Sequence, residues 1–320
     1  MRRVAAIDIG TNSVLLLVAE QAADGSGPTR PIVERATITR LGKGVDATRT
    51  LDPEAIARTL ACLADYGETL RAAGASRVDA VGTSAMRDAR GGEAFIAQAR
   101  ELLGVAPRVI SGAEEARLTF SGALSGLTVA PGPVTVFDVG GGSTEVIAGE
   151  VRGAEHRIDH VISVDTGSVR LTERHVRSDP PLESELADAR ADAHGALARA
   201  RWGPPNTTLV GVAGTVTTLA AVALASEPYD ASQVHGARLS AGEVQHTVAR
   251  LAALPLAERR KIAGLDPGRA DVIVAGGLIV QEALSAAKGD AATAELIVSD
   301  RGVRWGLVSE LFRALEVADG

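Results

Sequence analysis

One glycine-centred signature occurs twice in this chain at a fixed interval. DIGTNSV runs from Asp8 to Val14 and DVGGGSTEV from Asp138 to Val146; Asp8 and Asp138, Gly10 and Gly140, and Ser13 and Ser143 each lie 130 residues apart. Each copy follows an apolar run, VAAI or VTVF, and precedes another, VLLLV or VIA, so each reads as strand, tight turn, strand. A single Asp-Gly turn is equally well accounted for by ordinary hairpin conformation. Two copies in matched register are the mark of a duplication, which predicts two related halves facing one ligand. Three consecutive glycines, Gly140 to Gly142, weaken a strand connection unless something must approach the backbone closely. A phosphate is such a ligand, because turn N–H groups and a Ser or Thr hydroxyl can cradle it. The candidate contacts are Gly10, Thr11, Asn12 and Ser13 in the first copy, and Gly140, Gly141, Gly142, Ser143 and Thr144 in the second.

The remainder alternates strand-like and helical segments, the α/β pattern. Asp52 and Pro53 start a helix that runs through Ile56, Leu60, Leu63 and Leu70 and stops at Gly74. Ser111 opens another, with Ala113, Ala116, Phe120, Leu124 and Leu127 on one stripe and Glu115 well away from it. AVGTSAMRDA (80–89) and GVAGTVTTLA (211–220) also correspond, each expected to place a Gly-Thr at a strand end, and the stretch from Gly126 to Pro133 reads as the junction between halves.

With 320 residues there is room for two domains of ordinary size. Aromatics are only 2% and the net charge is −7, which disfavours base-stacking platforms, nucleic-acid binding and anionic membranes; a polyanionic ligand would need a local basic pocket. Cys62 is the single cysteine, so no internal disulfide or multi-cysteine zinc site is expected, and it reads as a buried small hydrophobe. No apolar run reaches the length of a membrane span and no cleavable signal is evident, so the expected location is the cytoplasm.

Several polar residues admit two accounts. Arg87, just past a strand end, would take a phosphate bidentately or pair on the surface with Asp88 or Glu93. Glu114 and Glu115 fit first-turn acids complementing a helix dipole. Asp138 and Glu145 bracket the triple-glycine turn; they would share a divalent cation, unless Glu145 is a solvated turn acid. Gly214 and Thr215 offer helix N-terminal N–H groups to an anion, though Thr is also a routine N-cap. Arg170, Arg174 and Arg177 read as a basic helical face, either solvated or guiding phosphate. His156 and His160 fall in a strand, about 13 Å apart along it, where they do not converge on a metal.

Taken in order, DIGTNS, TSAMRDA, SGAEEARL, DVGGGSTE, SVDTGSVRL, GVAGTVTTLA and GLDPGRADVIVAG resemble the exopolyphosphatase and guanosine pentaphosphate phosphatase family over nearly the whole chain. The resemblance implies an α/β fold of two duplicated ribonuclease-H-like domains, of the actin and sugar kinase superfamily, with an interdomain cleft. The domains would be 1–125, completed by the C-terminal helix over 300–320, and 126–299. It also implies that Glu115 activates water, that Arg87 binds phosphate, and that Asp138 and Glu145, with Asp8 as a further candidate, attend Mg²⁺ or Mn²⁺. The expected reaction is metal-dependent hydrolysis of a terminal phosphoanhydride of inorganic polyphosphate, or of guanosine pentaphosphate. Leu15 departs from the pattern, because many relatives carry a polar or basic residue there. Two other functions stay open: an ATP-dependent small-molecule kinase, for which Ala275-Gly276-Gly277 resembles an adenosine-side glycine pair, and a non-catalytic alarmone sensor, which would have no need of Glu115 and Glu145. The apolar helices fit a monomer core or a homodimer interface.

Overall fold

In the computed structural model, which describes residues 1–22, 27–153, 155–288 and 294–319, the chain divides into two compact units. The first comprises Met1–Gly122 with Val303–Gly320, and the second Ala123–Gly302.

The first unit contains β1 (Arg2–Ile9), β2 (Ser13–Gln21), β3 (Arg30–Ile38), α1 (Val45–Thr48), α2 (Pro53–Ala73), β4 (Arg77–Gly82), α3 (Ser84–Asp88), α4 (Glu93–Leu103), β5 (Arg108–Val109) and α5 (Gly112–Leu124), and is completed by the C-terminal helix Val303–Asp319. Its sheet has the order β3-β2-β1-β4-β5, an antiparallel three-strand meander extended by parallel strands. Both faces of β1 are buried, so the strand is continuously apolar rather than alternating. Ala5, Ile7 and Ile9 join Leu63, Tyr66, Phe95 and Ala99 of α2 and α4. Val4 and Ala6 join Leu118 of α5 and Trp305, Val308 and Phe312 of the C-terminal helix.

The second unit follows the same plan. It contains β6 (Gly132–Val139), β7 (Thr144–Arg152), β8 (Glu155–Val164), α6 (Ser168–His175), α7 (Glu183–Leu197), β9 (Thr208–Val212), α8 (Ala213–Ala223), α9 (Ala231–Val234), β10 (Arg238–Ser240), α10 (Ala241–Ala252), α11 (Leu256–Arg259), α12 (Ile273–Lys288) and β11 (Glu295–Val298). The order is β10-β11-β9-β6-β7-β8, in which β8-β7-β6-β9-β11 repeats the strand order and directions of the first sheet. The duplication read from the hairpins is therefore a duplication of whole ribonuclease-H-like sheets.

Local chemistry explains the element ends. The Asp52 carboxylate accepts from the Ala55 N–H, Pro53 sits at the first helical position, and Gly74 closes α2 in the left-handed region at φ 65°. Cys62 is buried against this helix's core, and burial pushes its thiol upward. The C-terminal helix depends on a close approach, since a Cβ at Gly306 would lie 2.2 Å from the Leu118 carbonyl oxygen. Gly306→Ala gains up to about 1 kcal/mol in helix propensity. The overpacking cost, roughly 1–3 kcal/mol, falls here on rigid backbone. A net loss of about 1–2 kcal/mol is expected, read as a lowered denaturation midpoint.

Three sequence expectations are corrected by the elements. Gly214 and Thr215 lie inside the first turn of α8, not at a strand end. The basic face does not form, because α6 ends at His175 before Arg177, Arg170 is buried, and Arg174 pairs with Asp192 at 3.2 Å. Of the expected α5 stripe, Ala116, Phe120 and Leu124 are buried, Ala113 is exposed and Leu127 falls beyond the helix; Glu115 is itself buried at 7% exposure.

Candidate active site

The two hairpin turns share one internal geometry. Gly10 donates its N–H to the Ser13 carbonyl at 2.9 Å, and Gly140 donates to the Ser143 carbonyl at 3.1 Å. The remaining carbonyls of each turn are held by the segment that follows the third strand. In the first turn the Thr11 carbonyl accepts from Gly42 N–H at 2.8 Å, and the Asn12 carbonyl from Thr39 at 3.1 Å and Arg40 at 2.9 Å. In the second, the Gly140 carbonyl accepts from Ser168 N–H at 2.9 Å, and the Gly141 carbonyl from Val169 at 2.9 Å and Arg170 at 3.1 Å. The Gly142 carbonyl accepts from Arg170 Nε at 2.6 Å. In a planar trans peptide the N–H points opposite to its carbonyl. The N–H groups of Asn12, Ser13, Gly141, Gly142 and Ser143 are therefore aimed away from the clamping segments, as a phosphate cradle requires. Gly167 shows how close the clamp lies, because a Cβ there would sit 2.5 Å from the Gly141 carbonyl oxygen although its own φ is extended.

The hairpins differ at one cross-strand pair. Asp8 stands opposite Leu15, whereas Asp138 stands opposite Glu145, the positions 130 residues on. Asp138 and Glu145 are 8% and 1% exposed, so Glu145 is not a solvated turn acid. The Ser163 hydroxyl donates to Glu145 Oε1 at 2.6 Å. Like charges directly opposed on a sheet repel, and burial strengthens the repulsion. This pair has the composition and placement to hold a divalent cation, which the Asp8 and Leu15 pair lacks. Thr144, a candidate phosphate contact, is fully buried, and its hydroxyl donates to the Thr166 carbonyl at 2.7 Å, tying the start of β7 to the segment after β8.

In the first unit α3 carries Arg87 in its last turn and α5 carries Glu115 in its first. The Arg87 guanidinium donates to Glu115 Oε2 at 2.9 Å and to the Ile110 carbonyl at 3.2 Å. Arg87 thus pairs with Glu115, a partner that its sequence neighbourhood did not suggest. Neighbouring Glu114 diverges outward to Arg108, which also holds Asp79 at 3.0 Å. One of two adjacent acids is thus spent on the surface and the other is buried against a cation.

Two arginines in the second unit stand in surroundings that sequence reasoning did not foresee. Arg269 packs so closely on Gly214 that a Cβ there would lie 1.8 Å from its Nη1, and burial pushes its guanidinium below the ordinary arginine value. Its motif, GLDPGRADVIVAG, was visible, but nothing in the spacing ties it to the turn at Gly214. Beside it Ala213 adopts φ 70°, a left-handed conformation unusual for alanine. The second arginine, Arg170, reads in the sequence as part of a basic face, either solvated or guiding phosphate, and is instead buried beneath the triple-glycine turn. The Gly276-Gly277 pair lies within α12, where Cβ atoms would meet Thr215 Cγ2 at 2.7 Å and Val248 Cγ2 at 2.4 Å. These glycines serve close helix packing, which removes the observation that favoured a kinase.

Paired glycine cradles, a buried acid pair and a carboxylate held by arginine define a phosphate-handling enzyme of the duplicated ribonuclease-H-like class. The model of the Ppx/GppA phosphatase family matches residues 17–314, and the chain belongs to that family. It is 40% identical to exopolyphosphatase 2 of Mycobacterium tuberculosis over 97% of this chain and 99% of that one. Among solved structures it is similar to an exopolyphosphatase-like protein, with TM-score 0.86 and 33% identity over 98% of this chain and 99% of that one. It is also similar to the Aquifex aeolicus Ppx/GppA family member, with TM-score 0.78 and 35% identity over 98% of each chain. Among the described residues no helix is long and apolar enough to cross a membrane.

Proposed function

We propose that this chain is an exopolyphosphatase that removes the terminal phosphate of inorganic polyphosphate with a divalent cation, Mg²⁺ or Mn²⁺. The observation that carries the reading is the buried Glu115 carboxylate held by Arg87 at 2.9 Å, in a chain whose relative at 40% identity is named an exopolyphosphatase. Glu115 orients the attacking water and takes its proton, and Arg87 pairs with the phosphoryl oxygens. In the second unit the N–H groups of the triple-glycine turn and the first turn of α8, with Arg269 beside it, bind phosphate, and in the first unit the N–H groups of the Gly10–Ser13 turn do the same. Asp138 and Glu145 are the residues that would hold the cation, which when bound would supply charge neutralisation to a phosphate. Phosphoryl transfer asks mainly for positioning and electrostatics, which this set of groups provides.

The test is phosphate release with Mg²⁺ from medium-chain polyphosphate, guanosine pentaphosphate and ATP in parallel. Fastest release from polyphosphate is expected. Preference for guanosine pentaphosphate would move the substrate to the nucleotide, and no release from any of the three would end the hydrolase reading.

A further inference from the structure

Superposing the two turns by their 130-residue offset places Gly10 on Gly140, Thr11 on Gly141 and Asn12 on Gly142. Thr11 and Gly141 carbonyls are both held by backbone N–H groups, from Gly42 in one and from Val169 and Arg170 in the other. The third pair breaks the pattern. Two backbone N–H groups, Thr39 and Arg40, hold the Asn12 carbonyl, whereas the Arg170 side chain holds the Gly142 carbonyl through Nε at 2.6 Å. Arg170 is 4% exposed, on the first turn of a helix whose N–H groups already serve Gly140 and Gly141. A buried guanidinium is costly to desolvate, and a surface-type packing role would not need one.

We propose that Arg170 is a positioning residue for phosphate binding: it fixes the Gly142–Ser143 peptide and so aims the Ser143 N–H into the second cradle. The argument rests on the phosphatase reading for its substrate, but its geometry is that of the turn alone. Three glycines give this turn more freedom than Thr11-Asn12 gives the first, and its third carbonyl is clamped by a side chain where the first turn's is clamped by backbone N–H groups. Arg170 itself need not touch the substrate.

The experiment compares wild type with Arg170→Met and Arg170→Lys, reading kcat and KM on polyphosphate and the inhibition constant of inorganic phosphate. For Arg170→Met, KM and the phosphate inhibition constant are expected to rise about tenfold, the loss of roughly one well-aimed hydrogen bond, with kcat changed much less. Arg170→Lys should recover part of the loss, since an ammonium can donate to the same carbonyl, and added guanidinium ion should partly rescue Arg170→Met. A folded Arg170→Met with unchanged KM and unchanged phosphate inhibition overturns the proposal. Should Arg170→Met fail to fold, Arg170→Lys decides: a folded Lys variant with KM and the phosphate inhibition constant raised several-fold supports the clamp, and one with wild-type values of both overturns it. Inactive wild type would overturn the substrate reading instead. In that case the amide resonance of Ser143 on titration with inorganic phosphate tests the clamp: a shift in wild type that is lost in Arg170→Met upholds it, and equal shifts in both overturn it.

Discussion

Glu115→Gln is expected to lower turnover on polyphosphate by about 10²–10⁴-fold while leaving KM nearly unchanged. Glutamine keeps the shape of the side chain and an oxygen that can accept from Arg87, whose guanidinium donates to Glu115 Oε2 at 2.9 Å in the wild type. What it removes is the capacity to take a proton from water. A change confined to kcat is the signature of a group acting in the transition state rather than in binding. Steady-state phosphate release with a folded variant is the check. Undiminished turnover would take Glu115 out of the mechanism. Its neighbour provides the internal control: Glu114 is engaged with Arg108 at the surface, and Glu114→Gln should leave the rate within about twofold.

The second large effect concerns the acid pair. Glu145→Gln should reduce Mg²⁺-supported turnover by on the order of 10²-fold and abolish the stabilisation that Mg²⁺ gives the wild type. Asp138 and Glu145 face each other across the β6–β7 hairpin, 8% and 1% exposed, two carboxylates placed on one face of the sheet. A cation at about 100 times its dissociation constant stabilises the fold by about 2.7 kcal/mol, which a thermal melt reads directly. Glutamine at 145 retains an oxygen for the Ser163 hydroxyl. A variant that still gains the full Mg²⁺ shift would place the cation elsewhere.

Much of the fold was legible because its signals are local or periodic. The hairpins declare themselves through Asp, Gly and Ser recurring 130 residues apart, and α2 through Asp52, Pro53 and Gly74. What stayed hidden depends on contacts distant in sequence. Arg87 and Glu115 are 28 residues apart on two different helices, and only the fold joins them; from position alone each is better explained as a surface group. Arg170 misled because spacing at i and i+4 with Arg174 implies one exposed face, whereas the first turn of α6 is packed beneath the triple-glycine turn. Gly276 and Gly277 misled in the opposite sense, as a motif that resembles a ligand contact yet serves the packing of α12 on Thr215 and Val248.

The central claim is that phosphate leaves from chain ends, and phosphorus NMR of a partly digested medium-chain polyphosphate tests it most directly. With Mg²⁺ the account predicts that orthophosphate grows from the first time point while the terminal-phosphate signal does not rise. A rising terminal signal would mean internal cleavage, and absent orthophosphate would mean no hydrolysis; either result contradicts the account.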